Sequence, residues 1–98
     1  MERLVELHDT VNGPMYLVTT DTVICESLRK TGDYAPEEKL LLGELIITDA
    51  TVVDVGASVC NHTLFFSKQV GPKGRVFSFE PQRFLFQVLC ANALLGQF

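Results

Sequence analysis

From Arg3 to His8 polar and apolar residues alternate but for the pair Leu4-Val5, close to a period of two that predicts a half-buried strand. The cluster Asn12-Gly13-Pro14 interrupts it and Met15 to Val18 suits a second strand, so the chain opens on a hairpin-like lead-in. Asp21 or Thr22 offers a side-chain oxygen to the free N–H groups of a short helix that runs through Arg29 and stops near Gly32. Pro36 followed by Glu37 and Glu38 is a stronger helix start, with φ fixed in the first turn and acids at the positive end of the dipole. Leu40, Leu41, Leu42, Leu45 and Ile46 are expected to form the core-facing side of that helix.

The second half is punctuated more sharply. Thr51-Val52-Val53-Asp54-Val55 is a β-branched run that stops at Gly56, and the pattern turns helical from about Asn61 to Val70. Gly71-Pro72-Lys73-Gly74 ends this helix, Arg75 to Phe79 reads as a second strand closing at Glu80-Pro81, and a last helix is expected from about Gln82 to Leu95, with Gly96 as its stop. The order β-α-β-α predicts two parallel neighbouring strands joined by a right-handed crossover. Phe65, Phe66, Phe77, Phe79, Phe84 and Phe86 sit at strand or helix spacing and are expected in the core.

Composition narrows the class. With 98 residues, 47% hydrophobic and 20% charged, the chain falls among soluble globular domains with one modest core. A net charge of -4 without a dense Lys/Arg cluster speaks against nucleic acid or an anionic membrane as partner. No apolar run reaches the roughly 18 to 20 residues of a membrane span, and the first residues are too charged for a secretory segment, so a cytoplasmic protein is expected. Cys25, Cys60 and Cys90 are odd in number and form no C-x-x-C pair, which supports neither a disulfide framework nor a zinc site. Buried, reduced thiols are the simplest expectation.

In open parallel sheets ligands lie beyond the carboxyl ends of the strands, where loops and helix N-termini converge. Asp54 at the end of the first strand, the turn Gly56-Ala57-Ser58 and Glu80 after the second strand all fall at that edge. Gly56 lacks a Cβ and lets a ligand approach the backbone, and the two oxygens of Glu80 suit the two hydroxyls of a ribose. A nicotinamide dinucleotide would use the same acid, but G-x-G-x-x-G is absent: Ser58 and Asn61 stand where its second and third glycines would be. Asp54 would face phosphates with the wrong sign, whereas it suits a ligand bearing a sulfonium and an ammonium group. An adenosylmethionine-type ligand is therefore favoured over NAD.

The run Val52-Val53-Asp54-Val55-Gly56-Ala57-Ser58-Val59-Cys60-Asn61-His62-Thr63 resembles the first motif of FkbM-type methyltransferases, which usually reads V-D-V-G-A-N-x-G-N-H/Y-T/S. The resemblance continues through Gly71-Pro72-Lys73-Gly74-Arg75-Val76 and Phe79-Glu80-Pro81, and covers roughly Gly13 to Gln97. It implies S-adenosyl-L-methionine as cofactor, held by Asp54, Gly56, Ala57, Ser58, Asn61, His62, Glu80 and Pro81, with no metal. It also implies O-methyl transfer to a hydroxyl of a sugar or small molecule. The implied fold is α/β, a Rossmann-like class I methyltransferase sheet of seven mostly parallel strands. This chain would supply the first two core strands with their helices (residues 36–98), preceded by a lead-in (residues 1–35), as an amino-terminal fragment. The acceptor pocket and any base would lie beyond Phe98, so no catalytic residue is assigned.

Two positions depart from the motif. Ser58 replaces an asparagine and Cys60 replaces a glycine, which adds strain if the backbone there needs positive φ, and sets a thiol near the methionine end of the ligand. Asn61 and His62 are read two ways, as donors to the methionine carboxylate at a helix N-terminus or as a plain cap and a solvated histidine. Cys60 at a helix N-terminus also reads as a low-pKa nucleophile, against which stands the lack of a second thiol or base beside it. His8 is a lone histidine in a strand-like segment. An unpaired, apolar edge on the first strand should make the chain self-associate. The alternative function is a non-catalytic cofactor-binding or interaction module derived from a methyltransferase.

Overall fold

The computed structural model describes residues 3–96 of the chain; Gln97 and Phe98, at the end of the second segment, lie outside them. The fold is α/β, with two two-stranded sheets and four helices among the described residues. Strands β1 (Val5–Thr10) and β2 (Gly13–Val18) form the antiparallel hairpin, and helix α1 (Ile24–Thr31) leads to α2 (Pro36–Leu45). Strand β3 (Thr51–Val55), helix α3 (Asn61–Val70), strand β4 (Arg75–Phe79) and helix α4 (Arg83–Leu95) complete the chain. The strands β3 and β4 are parallel and in register, with Val53 opposite Phe77 and Val55 opposite Phe79.

Local chemistry sets the boundaries. Asp21 accepts the N–H groups of Val23 (3.0 Å) and Cys25 (2.8 Å), so it serves the first turn of α1 from just outside the helix. Burial would raise its pKa, but those bonds and the nearby Arg29 outweigh it and hold the carboxyl below its ordinary value. Gly32 ends α1 with φ 79° and returns its N–H to Leu28. The turn between α3 and β4 is tight: a Cβ on Gly74 would lie 2.3 Å from Cβ of Val70, so only glycine fits.

One core joins the two halves. Met15, Leu17, Val18, Cys25 and Leu28 from the hairpin and α1 pack with Ala57, Val59, Cys60, Leu64, Val88 and Leu89. Leu17, Leu28 and Leu64 are almost wholly enclosed, each contributing about 1.5–3 kcal/mol by leaving water. Helix α4 packs on β2, while α3 covers one face of the β3–β4 pair.

Three expectations fail on burial. Leu40, Leu41 and Leu45 of α2 are 74%, 60% and 69% exposed, and it is Lys39 that is buried on this helix. The inward stripe is Lys39, Leu42, Gly43 and Ile46, at helical spacing, and Gln69 of α3 donates to the Gly43 carbonyl at 3.2 Å. Phe77, Phe79, Phe84 and Phe86 are exposed; of the six aromatics expected in the core only Phe66 is buried. Among the described residues this two-stranded sheet has one helix layer, and nothing packs against its second face. Cys90 is likewise exposed, on α4. Among the described residues no helix is long and apolar enough to cross a membrane.

Candidate functional site

The carboxyl ends of β3 and β4 are bound together by a short loop. The N–H groups of Gly56 and Ala57 both donate to the carbonyl of Phe79, at 2.8 and 3.0 Å. Gly56 adopts φ 79°, and nothing lies within 4 Å of where its Cβ would be, so its surroundings are open. Ser58 (φ 52°) and Cys60 (φ 94°) are also left-handed, a conformation that costs a non-glycine residue on the order of 1–3 kcal/mol. The expected strain at Cys60 is therefore real, and the surrounding structure imposes it.

Glu80 sits directly against this loop. Its Oε1 accepts the Ser58 N–H at 2.8 Å and its Oε2 accepts the Gln82 N–H at 2.9 Å. Each oxygen keeps a further lone pair, so the carboxylate is oriented by the backbone and still able to accept. Pro81 lies between these two contacts in sequence and is exposed.

Asp54 points to the helix-covered side of β3. Its Oδ2 accepts the Thr63 hydroxyl at 2.7 Å, and Thr63 Oγ1 lies 2.6 Å from Ser78 Oγ. Thr63 has one proton and gives it to Asp54, so Ser78 is the donor in the second bond. These bonds tie β3, α3 and β4 together just below the loop.

Asn61 and His62 turn elsewhere. Asn61 is buried; its Oδ1 accepts from Asn12 Nδ2 at 3.0 Å and lies 3.4 Å from Lys39 Nζ, while its Nδ2 reaches the Tyr34 carbonyl at 3.5 Å. His62 stacks edgewise on Tyr34 and against Phe66, with Nε2 3.4 Å from Glu38. Asp54, Gly56, Ala57, Ser58, Glu80 and Pro81 thus share one edge, and Asn61 and His62 join a separate network with Asn12, Asp33 and Lys39. The ammonium of Lys39 is paired with Asp33 at 2.5 Å in that network. Sequence reading missed Lys39; the signal was its place on the i, i+3, i+4, i+7 stripe with Leu42, Gly43 and Ile46.

The thiol of Cys60 is fully enclosed and belongs to the core, turned away from the open side of the loop. Burial, with the charges of Asp54 and Cys90 adding to it, pushes its pKa up to about 12, and burial pushes Cys25 up to about 11. A low-pKa nucleophile at Cys60 is ruled out by this environment. Among the described residues no group of three or more His, Cys, Asp or Glu is placed to hold a metal ion.

Comparison with protein-family models, with curated proteins and with solved structures finds no match to this chain.

Proposed function

We propose that this chain carries the adenosine-binding part of an S-adenosylmethionine-dependent methyltransferase with a Rossmann-like sheet. The observation that carries the reading is Glu80: a carboxylate held by two backbone N–H groups beside a glycine turn, at the carboxyl ends of two parallel strands. The residues present fit the cofactor. Open space at Gly56 admits a ligand against the backbone, the spare lone pairs of Glu80 accept ribose hydroxyls, and the core-facing Cys60 leaves the loop side clear.

When bound, the cofactor would supply an electrophilic methyl group on a sulfonium, transferred by in-line displacement to a small-molecule or sugar hydroxyl. The part of this chain is to bind and orient. Glu80 would accept from the ribose hydroxyls, Ala57 and Ser58 would line the turn against it, and Pro81 would flank the site from its exposed position after Glu80. Asp54, whose Oδ2 is held by the Thr63 hydroxyl just below the loop, would contribute negative charge toward the cationic end of the cofactor. Asn61 and His62 brace the first turn of α3 from behind. Reduced Cys25, Cys60 and Cys90 suit a cytoplasmic setting.

Calorimetric titration tests the assignment. Wild type should bind S-adenosylmethionine saturably and NAD not at all, and Glu80→Ala should lose at least about tenfold in affinity, the size of a charged hydrogen bond. A folded wild-type chain that gives no heat with S-adenosylmethionine would sink the reading.

One observation favours a second reading, a non-catalytic interaction module. Val53, Val55, Phe77 and Phe79 are 59%, 81%, 47% and 56% exposed on a single face of the β3–β4 sheet. Parallel sheets normally have both faces covered. A second copy of the chain brings the same apolar face, and two such faces bury one another about a two-fold axis. Light scattering on a sizing column should show a dimer or larger species that Phe77→Lys converts to monomer; a wild-type monomer at all concentrations defeats this second reading.

A further inference from the structure

The loop that the proposed cofactor site depends on is strained, and one bond of its own, from the Cys60 N–H to the Ala57 carbonyl at 3.1 Å, does not relieve that strain. Ser58 and Cys60 hold left-handed backbone without being glycine, so something outside the loop must over-determine them. From the strand side, the Phe79 carbonyl and Glu80 fix Gly56, Ala57 and Ser58. From the core side, one contact stands out: Nδ2 of Asn92 donates to the carbonyl of Val59 at 2.7 Å. Asn92 is fully enclosed on α4, and Val59 is only 1% exposed, so no water can replace this bond.

The amide of Asn92 is itself held by the hairpin. Its Oδ1 accepts the Tyr16 N–H at 2.6 Å and its Nδ2 also donates to the Tyr16 carbonyl at 3.0 Å. Both backbone groups of Tyr16 therefore fix the plane of the amide, and its second proton is left aimed at Val59. We propose that Asn92 is a positioning residue for the cofactor loop, coupling strand β2 to the peptide between Val59 and Cys60. This rests on the cofactor assignment above for its consequence, but the coupling is a property of the protein alone.

Without the amide, the Val59 carbonyl loses its partner in a dry interior and both Tyr16 groups lose theirs at the half-buried edge of β2. The Val59–Cys60 peptide is then held only through its N–H, which donates to the Ala57 carbonyl at 3.1 Å, and it relaxes toward a less strained conformation that draws the Ser58 N–H off Glu80 and loosens the carboxylate's orientation. Affinity falls although Asn92 does not touch the ligand edge.

The test compares Asn92→Ala with Leu28→Ala, a core truncation on α1 that reaches neither Val59 nor Tyr16 by hydrogen bond. Two quantities are read at a temperature where both variants are folded: S-adenosylmethionine affinity by calorimetry, and amide exchange at Ser58 and Cys60 by NMR. Asn92→Ala should weaken binding at least tenfold and speed exchange of the Ser58 amide by a similar factor or more, and Leu28→Ala should leave both within about twofold even where it melts lower. Equal changes in the two variants, or no change at Ser58 in Asn92→Ala, overturn the proposal. If wild type binds no S-adenosylmethionine, the cofactor assignment fails by itself and the exchange at Ser58 still decides the coupling. If Asn92→Ala does not fold, the wild-type side-chain amide decides: both Asn92 Nδ2 protons should be resolved and slow to exchange, and rapid exchange there overturns the proposal.

Discussion

The two sheets of this protein are of similar length and differ in how they are finished. In the hairpin, the outer edge of β2 is closed by side chains. Pro14 has no N–H to offer, Tyr16 is satisfied by Asn92, the Val18 N–H donates to Cys25 Sγ at 3.3 Å, and Arg29 donates to the Val18 carbonyl at 2.9 Å. Its inward residues Met15 and Leu17 are fully enclosed. The β3–β4 pair has α3 on one face and apolar side chains open to solvent on the other, and among the described residues no hydrogen bond reaches the outer edge of either strand. The lesson is that the half bearing the candidate site leans on the half that does not, through Asn92 and through the pair Asn12 and Asn61.

The contrast should be largest in stability. Leu17→Ala empties an enclosed site and is expected to cost about 2–5 kcal/mol in urea denaturation, whereas Phe79→Ala, measured where the chain is monomeric, should cost less than about 1 kcal/mol. Comparable losses in the monomer would mean that Phe79 packs within the chain instead of facing solvent. Thiol reactivity sharpens the comparison next. Exposed Cys90 should react with a maleimide or aromatic disulfide in seconds to minutes, and Cys25 and Cys60 only at the rate of unfolding. The same thiols give an alkaline signature: both folded pKa values lie above the ordinary 9.0, near 11 and 12, so their contribution is fully present below pH 9.0 and is lost as pH rises through that window. Replacing both with alanine should flatten that alkaline decline, and an unchanged slope would assign it to other groups.

The smallest effect is expected at Cys60→Gly. Relief of a left-handed residue opposes the loss of an enclosed thiol, so stability should move by no more than about 1 kcal/mol in either direction. Binding of S-adenosylmethionine should be equal in the two proteins by calorimetry, because the sulfur faces the core. A gain of tenfold or more in the glycine variant would show that the thiol intrudes on the ligand.

Strand β3, helix α3, strand β4 and helix α4 were readable along the chain because glycines and prolines mark their ends and β-branched runs fill the strands. The side that each element buries was less readable. Leu40, Leu41 and Leu42 are consecutive and cannot all lie on one helical face, so the inward stripe had to be decided by what α2 meets, namely Gln69 and Phe65 of α3. Phe77 and Phe79 follow the strand period faithfully, but the period cannot say whether a second layer exists. At the site, Gly56 and Glu80 were legible from their positions after the strands. The roles of Asn61 and Asn92 were not, because their partners lie far away in sequence, at Asn12 and Tyr16.

The buried pair of Lys39 and Asp33 has a consequence for how this sequence can drift. Lys39 is 6% exposed, while the side chain of Asp33 keeps 26% of its surface in water. Losing Asp33 first strands an enclosed ammonium with little more than Asn61 Oδ1 at 3.4 Å, the kind of uncompensated charge that costs about 3–5 kcal/mol. Losing Lys39 first leaves a carboxylate that solvent can still reach. Positions 33 and 39 should therefore be inherited as a unit, and lineages that abandon the pair should pass through a neutral residue at 39 before any change at 33.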